Sequence, residues 1–121
     1  MQTELFPVEI RFSRTFTRKM KELKKRYRSI DSDLKNLIGQ LQQRELPGDQ
    51  IQGVAGYTVY KARLRNSDAN KGSSGGYRII YWLVEPTLQT PIILLTIYSK
   101  SDQADIGDNE LIEIIREETA R

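Results

Sequence analysis

Apolar and charged residues alternate over residues 8–12, a pattern that predicts a short strand near the start of the chain. From Phe16 the apolar positions recur at the three- and four-residue spacing of a helix, and Lys and Arg occupy much of the remaining helix surface. Ser13 is well suited to cap the N-terminus of this basic helix. A second amphipathic pattern over residues 34–41 predicts another helix, and the short break between the two indicates an antiparallel helix pair.

The second half of the chain has the pattern of a β-sheet followed by a final helix. The segment Leu46-Pro-Gly-Asp49 signals a turn, and we expect irregular structure from there to Gly56. Residues 105–118 have the apolar spacing of a helix, with Asp108 or Asn109 as its cap. Three segments rich in β-branched and aromatic residues are predicted to be strands, at residues 57–65, 77–85 and 91–99.

The predicted order is β-α-α-β-β-β-α within a single domain that spans residues 1–121. Strands that follow one another through hairpins favour an antiparallel sheet, against which the helix pair can bury its apolar side. We therefore expect an α+β fold, in which a small antiparallel sheet packs against an N-terminal helix hairpin and a C-terminal helix closes the chain. A length of 121 residues, 38% of them hydrophobic, suits one such domain.

The residue types that are missing restrict the location and the chemistry. No apolar run approaches the roughly 18 residues that span a bilayer, and the N-terminal residues do not resemble a signal peptide. We therefore expect a cytoplasmic protein with no membrane partner. The chain has 0 Cys and 0 His, which excludes thiolate nucleophiles, imidazole bases and the usual zinc or haem ligands. Lys, Arg, Tyr and carboxylates remain, and we expect no metal and no cofactor.

The net charge of +3 is unevenly distributed along the chain. Residues 1–30 carry nine Lys and Arg against three Glu, whereas residues 102–121 carry seven acids against two Arg. This asymmetry favours a basic surface for a polyanion, together with an acidic end that stays solvated or covers basic surface within a complex.

A row of cations marks the first strand of the predicted meander. Lys61, Arg63 and Arg65 occupy every second position, and a fourth cation, Arg78, follows in the next predicted strand. Because strand side chains alternate between faces, the first three project on one side and the intervening residues on the other. Fixed positive charge on a sheet suits an anionic ligand, although a solvated basic face is the commoner explanation of such a pattern.

Four segments of the chain form a recognisable series: Phe16-Thr-Arg-Lys-Met-Lys-Glu-Leu, Val59-Tyr-Lys-Ala-Arg-Leu-Arg, Lys71-Gly-Ser-Ser-Gly-Gly-Tyr-Arg-Ile-Ile-Tyr and Leu95-Thr-Ile-Tyr-Ser-Lys-Ser-Asp. Their order and spacing resemble the RelE/ParE superfamily of toxins from bacterial type II toxin–antitoxin systems. The resemblance extends from about Ile10 to Ile115 and is closer to the RelE and HigB mRNA interferases than to ParE.

The resemblance implies a small basic ribonuclease that enters the ribosomal A site and cuts mRNA through attack by the ribose 2′-hydroxyl. Such cleavage needs removal of the 2′ proton, stabilisation of a phosphorane and protonation of the departing 5′ oxygen. By resemblance, Lys61 and Arg63 are expected to act in proton transfer and charge stabilisation, and Arg78 to hold the scissile phosphate. Like charges disfavour the ammonium form of a lysine among arginines, which would suit Lys61 to proton transfer.

RelE carries a further arginine after its last strand and a tyrosine at the start of its final segment. The aligned positions here are Ser101 and Gly107, so the identity of the general base stays open. Lys100 and Tyr98 are the nearby residues that can compensate. The implied partners are a cognate antitoxin in a hetero-oligomer, mRNA and ribosomal RNA. Contacts to RNA beyond the three catalytic candidates are expected from Arg65, Lys71, Tyr98 and Lys100.

Two other functions share the expected fold. A ParE-like protein would bind and inhibit DNA gyrase, a role that does not obviously require Lys61, Arg63 and Arg78. A non-toxic member would only bind its antitoxin and help to regulate the operon. Because fold does not decide function, the chemistry of the site has to separate these alternatives.

Overall fold

The structure is a computed structural model that describes residues 7–69, 75–86 and 90–120. These residues form, in chain order, β1 (Ile10–Phe12), α1 (Arg14–Arg26), α2 (Ile30–Gln42), β2 (Asp49–Ile51), β3 (Thr58–Leu64), β4 (Tyr77–Leu83), β5 (Ile92–Ser99) and α3 (Asp108–Thr119). The α+β class and the order of two helices, a meander and a final helix are confirmed. None of the three described helices has the length and hydropathy of a membrane-spanning segment.

The sheet has five strands in the order β1-β5-β4-β3-β2, and it is mixed rather than wholly antiparallel. The predicted antiparallel meander of β3, β4 and β5 is present, whereas β1 runs parallel to β5 with Ile10 opposite Ile92. Ser13 explains this direction, since its backbone N–H donates to Leu94 O at 3.0 Å and its hydroxyl donates to Leu95 O at 2.6 Å. The same hydroxyl accepts from Phe16 N at 2.9 Å, which confirms the predicted N-cap of α1.

The segment expected to be irregular contains a short edge strand, β2, which pairs antiparallel with β3. Asp49 lies opposite Lys61 in this pairing, and Ile51 lies opposite Val59. The preceding turn brings Gly48 against the backbone of β3. A three-residue strand after a Pro-Gly turn leaves almost no periodicity in the sequence, which accounts for the difference from the prediction.

Helices cover the two faces of the sheet unequally. The apolar sides of α1 and α2 bury one face, on which Ala62, Ile79 and Tyr81 are almost inaccessible to solvent. The helix α3 covers the other face through a second core that includes Val59 and Ile80. That second core occupies the beginning of β3 and the end of β4. The strand cations lie at the opposite end of the same face, which α3 leaves open.

A β-bulge in β5 sets which residues share the open end. Ile80 of β4 lies opposite Thr96, but the next residue, Tyr81, lies opposite Leu94, so one residue of β5 is skipped. Beyond the bulge, Tyr98 lies opposite Arg78. The bulge therefore places this tyrosine on the face of the sheet that carries the cations.

Candidate functional site

The alternation of β3 divides its residues as the sequence predicts. Lys61 lies opposite Ile80 and Arg63 lies opposite Arg78 on β4, so these cations share the face that α3 only partly covers. The intervening residues Tyr60, Ala62 and Leu64 belong to the core beneath the helix hairpin. Directly opposed like charges destabilise a strand pair. A bound anion would therefore stabilise the pairing of Arg63 with Arg78 across the two strands.

These residues line a basic cleft of about 540 Å³. Three of its cations come from β3 and β4, and the fourth, Lys100, comes from the loop after β5. Asp49 is the one carboxylate among the described lining residues. The lining comprises Pro47, Gly48, Asp49, Lys61, Arg63, Arg78 and Lys100.

Arg78 is the most deeply placed cation of the basic cleft. Only 7% of the residue is exposed, and one guanidinium nitrogen donates to Gly75 O and to Tyr77 O, both at 3.3 Å. Backbone carbonyls satisfy part of its hydrogen-bonding capacity without neutralising its charge. Because burial weakens solvent screening, this charge acts more strongly on an anion in the cleft than a surface arginine would.

Lys61 is joined to the segment before α3 by a carboxylate that the sequence did not single out as functional. Its Nζ donates to Asp105 Oδ1 at 3.1 Å, and the same oxygen accepts from Ile106 N at 2.8 Å and from the Tyr98 hydroxyl at 3.4 Å. The bond from the Ile106 backbone N–H, followed by that from Lys61, holds the pKa of Asp105 below its usual value.

This ion pair changes the expected role of Lys61. The sequence suggested that neighbouring arginines would disfavour its ammonium form, but Nζ instead forms an ion pair with the Asp105 carboxylate at 3.1 Å. Tyr98 belongs to the same cluster, and burial together with the negative charge of Asp105 raises its pKa to about 12. At neutral pH the Tyr98 hydroxyl is therefore a proton donor, not a proton acceptor.

The loop after β5 supplies Lys100 to the cleft and orders it through local bonds. Lys100 Nζ donates to Ala104 O at 2.6 Å, and its backbone N–H donates to Gly76 O at 2.9 Å. Ser101, at the position where RelE has an arginine, shares a 2.9 Å hydrogen bond with Ser99. Lys100 is thus the cation that this loop presents to the cleft.

Gly48 allows the turn before β2 to lie directly against β3. Its φ of +94° lies in the left-handed region, and a Cβ built on it would be 2.1 Å from Lys61 O and 2.8 Å from Ala62 Cα. Such contact with backbone atoms leaves no room for a side chain. The Tyr81 hydroxyl fixes the same turn by donating to Pro47 O at 2.6 Å.

The remaining predicted site residues have different placements. Arg65 is exposed just beyond the end of β3 and is not among the lining residues. Tyr98 is 4% exposed and directs its hydroxyl at Asp105 instead of lining the cleft. Lys71 lies outside the described residues. The expected helix cap at Asp108 or Asn109 is wrong in both forms, because Gly107 is the N-cap of α3 and Asp108 is the first helical residue.

Two functional candidates, Asp49 and Asp105, were missed by sequence reasoning. The link between Asp105 and Lys61 joins positions 44 residues apart, and no local motif indicates it. The position of Asp49 depends on the pairing of β2, which the sequence did not predict. Across the described ranges, no group of three or more acidic side chains is arranged to hold a metal ion.

The site combines an anion cradle with a group that can donate a proton. Arg63, Arg78 and Lys100 can neutralise a phosphate, while Lys61 can donate a proton from its ammonium group. A comparison with models of known protein families finds no match to this chain. Conclusions about its activity therefore rest on the geometry of the cleft and on the resemblance in the sequence.

Proposed function

We propose that this protein is an endoribonuclease of the RelE/HigB type, the toxin of a type II toxin–antitoxin pair, that cleaves mRNA on the ribosome in the cytoplasm. The observation that carries the proposal is the basic cleft, in which Arg63 faces Arg78 across two strands and Lys61 and Lys100 complete the lining. Four cations converge on a space large enough for a phosphate group and part of its nucleotide.

The cleft supports cleavage without a protein nucleophile. The guanidinium groups of Arg63 and Arg78 stabilise the charge that builds on the non-bridging oxygens as the ribose 2′-oxygen attacks phosphorus. Lys61, which is paired with Asp105 at 3.1 Å, protonates the departing 5′ oxygen. No step in this scheme draws on a metal ion. A cognate antitoxin would block the reaction by covering the basic cleft or by displacing α3.

The test is cleavage of a defined mRNA bound to ribosomes, mapped at nucleotide resolution by primer extension, with free mRNA and added EDTA as parallel reactions. Arg63→Ala is the first variant because Arg63 is exposed and its removal leaves the core intact. We expect cleavage to fall by about 10²-fold, the usual effect of losing one transition-state donor. Lys35→Ala is the matched control, since it removes an exposed cation from α2, which packs on the other face of the sheet.

Each outcome has a defined meaning. Cleavage within the A-site codon that survives EDTA and is lost in Arg63→Ala but not in Lys35→Ala supports the proposal. Intact mRNA together with DNA damage in expressing cells would instead support a gyrase inhibitor of the ParE kind. Intact mRNA without damage, in a protein that co-purifies with its antitoxin, would support a regulatory role.

A further inference from the structure

Asp49 lies where a proton acceptor would face the proton donor Lys61. The two residues are directly opposite in the pairing of β2 with β3, and directly opposite residues of antiparallel strands extend their side chains on the same face. Both line the basic cleft. The carboxylate thus lies on the same wall of the cleft as the ammonium group, one strand nearer to the edge of the sheet.

The Asp49 carboxylate is uncommitted. Among the described residues its side chain makes no hydrogen bond or ion pair, because Lys61 pairs with Asp105 instead. An isolated carboxylate beside four cations is unusual, since a structural acid in such surroundings would be expected to pair with one of them. A carboxylate with unoccupied oxygens keeps the capacity to accept a proton from a ligand.

The other titratable groups near the cleft are unsuited to that role. Asp105 is outside the lining, and one of its oxygens already accepts three hydrogen bonds. Tyr98 has a pKa raised to about 12 and stays protonated at neutral pH. The arginines remain protonated at any working pH. Asp49 is the one carboxylate among the described residues that line the cleft.

We propose that Asp49 is the general base of the reaction, an inference that rests on the proposed function. Its carboxylate removes the proton from the ribose 2′-hydroxyl, and the 2′-oxygen forms a bond to phosphorus as the bond from phosphorus to the 5′ oxygen breaks. Lys61 transfers a proton to that 5′ oxygen. The products are a 2′,3′-cyclic phosphate and a 5′-hydroxyl, and proton exchange with water restores the ionised Asp49 and the Lys61 ammonium.

The experiment is single-turnover cleavage of ribosome-bound mRNA by Asp49→Asn, measured over a range of enzyme concentrations. Loss of general-base catalysis lowers the rate at saturation by about 10²- to 10⁴-fold. Removing a negative charge from a cationic cleft strengthens attraction to RNA, so the concentration for half-maximal rate should stay constant or fall. The opposite signs of these two effects distinguish a base from a residue that merely assists binding.

Glu45→Gln is the matched control. Glu45 is an exposed carboxylate four positions before Asp49 and is not among the lining residues, so its substitution removes the same charge close by. We expect this variant to cleave like the wild type. Asp49→Glu, which keeps the carboxylate on a longer side chain, should recover part of the activity that Asp49→Asn loses.

A modified substrate separates the base from the acid. An mRNA with sulfur in place of the bridging 5′ oxygen has a leaving group that needs no protonation, but its 2′-hydroxyl still has to be deprotonated. Cleavage of this substrate should be restored in Lys61→Ala and should remain slow in Asp49→Asn. The contrast distinguishes a variant that fails to remove the 2′ proton from one that fails to protonate the leaving group.

The outcomes separate this inference from the proposed function. If the wild type fails to cleave ribosome-bound mRNA, the proposed function fails and the role of Asp49 fails with it. If the wild type cleaves and Asp49→Asn cleaves at the same rate, Asp49 is only a solvated carboxylate of an edge strand and the proposed function stands. Recovery of Asp49→Asn on the sulfur-containing substrate would also overturn its role as the base.

Discussion

Replacing Gly48 with alanine tests whether the close approach of the turn to β3 supports the basic cleft. Gly48 has a φ of +94°, and the added Cβ would be 2.1 Å from the carbonyl oxygen of Lys61. Gly56 offers a matched comparison, because its φ of +83° is similar but a Cβ there meets no atom within 4 Å. Both substitutions introduce backbone strain, but only Gly48→Ala introduces steric overlap. Comparing the two variants therefore separates these two effects.

The expected cost follows from these two contributions. Placing a Cβ on a left-handed residue costs about 1–2 kcal/mol, so Gly56→Ala should lower the free energy of unfolding by that amount. Gly48→Ala adds an overlap that can be relieved only if the two backbones separate by roughly 1 Å, and overpacking of this kind costs about 1–3 kcal/mol. The total for Gly48→Ala is therefore about 2–5 kcal/mol.

Urea denaturation, followed by far-ultraviolet circular dichroism, measures both variants on one scale. For a small domain with an m-value of about 1–3 kcal/mol/M, we expect the midpoint of Gly48→Ala to lie about 1 M below that of Gly56→Ala. Under the proposed function, the displacement of Lys61 should also reduce mRNA cleavage by about 10²-fold in the folded variant, because catalysis tolerates little misplacement of a reacting group.

Equal midpoints for the two variants would refute the reasoning. Such a result would mean that the turn can move away from β3 at no cost, so the contact of Gly48 with Lys61 would not hold the strand. Normal cleavage by Gly48→Ala would separately show that the backbone position at Lys61 is unimportant for activity. An m-value that differs between the variants would indicate an altered unfolded state. The stabilities of the two variants would then be compared by calorimetry instead of by urea midpoints.

Three further outcomes are expected. Ser13→Ala removes both the α1 cap and a buried hydrogen bond to β5, and should lower the free energy of unfolding by about 1–3 kcal/mol in thermal melts. Asp105→Asn should lower the pKa of Tyr98, read from its absorbance near 295 nm, because it removes the charge that helps to raise it. Burial raises the pKa values of Tyr77, Tyr81 and Tyr98 in the folded protein above the ordinary value of 10.0. The stability that these tyrosines contribute is therefore complete below that ordinary value and is lost as the pH rises through the raised values. Tyr98 alone accounts for up to about 2–3 kcal/mol, and circular dichroism between pH 9 and 12 should show unfolding together with tyrosinate formation.

Periodicity carried most of the fold prediction. Alternation in β3 placed Lys61 and Arg63 on one face, and helical spacing located α1, α2 and α3, because a buried face must repeat with the period of its element. The aromatic and β-branched pattern of residues 77–85 likewise marked a strand, in which Tyr81 is 0% exposed. These features depend on neighbours within a few residues, which is the range over which a single sequence is informative.

The features that were missed depend on long-range contacts. A three-residue strand such as β1 satisfies its alternation in either direction, and its parallel pairing is fixed by bonds from Ser13 to a strand 82 positions away. Asp105 lies 44 positions from Lys61, and neither residue carries a local sign of the other. The cations of the cleft were therefore predictable from sequence, whereas the carboxylates that give them chemical roles were not.

The pairing of β1 with β5 also determines the order in which the protein can assemble. As the chain leaves the ribosome, α1 and α2 emerge before β5, the strand on which β1 depends. Lys100 and Asp105 follow that strand, so the cleft cannot be completed until β5 and the loop after it have emerged. For a protein proposed to attack translation, this topology delays activity until the entire sheet and the loop after β5 have been synthesised.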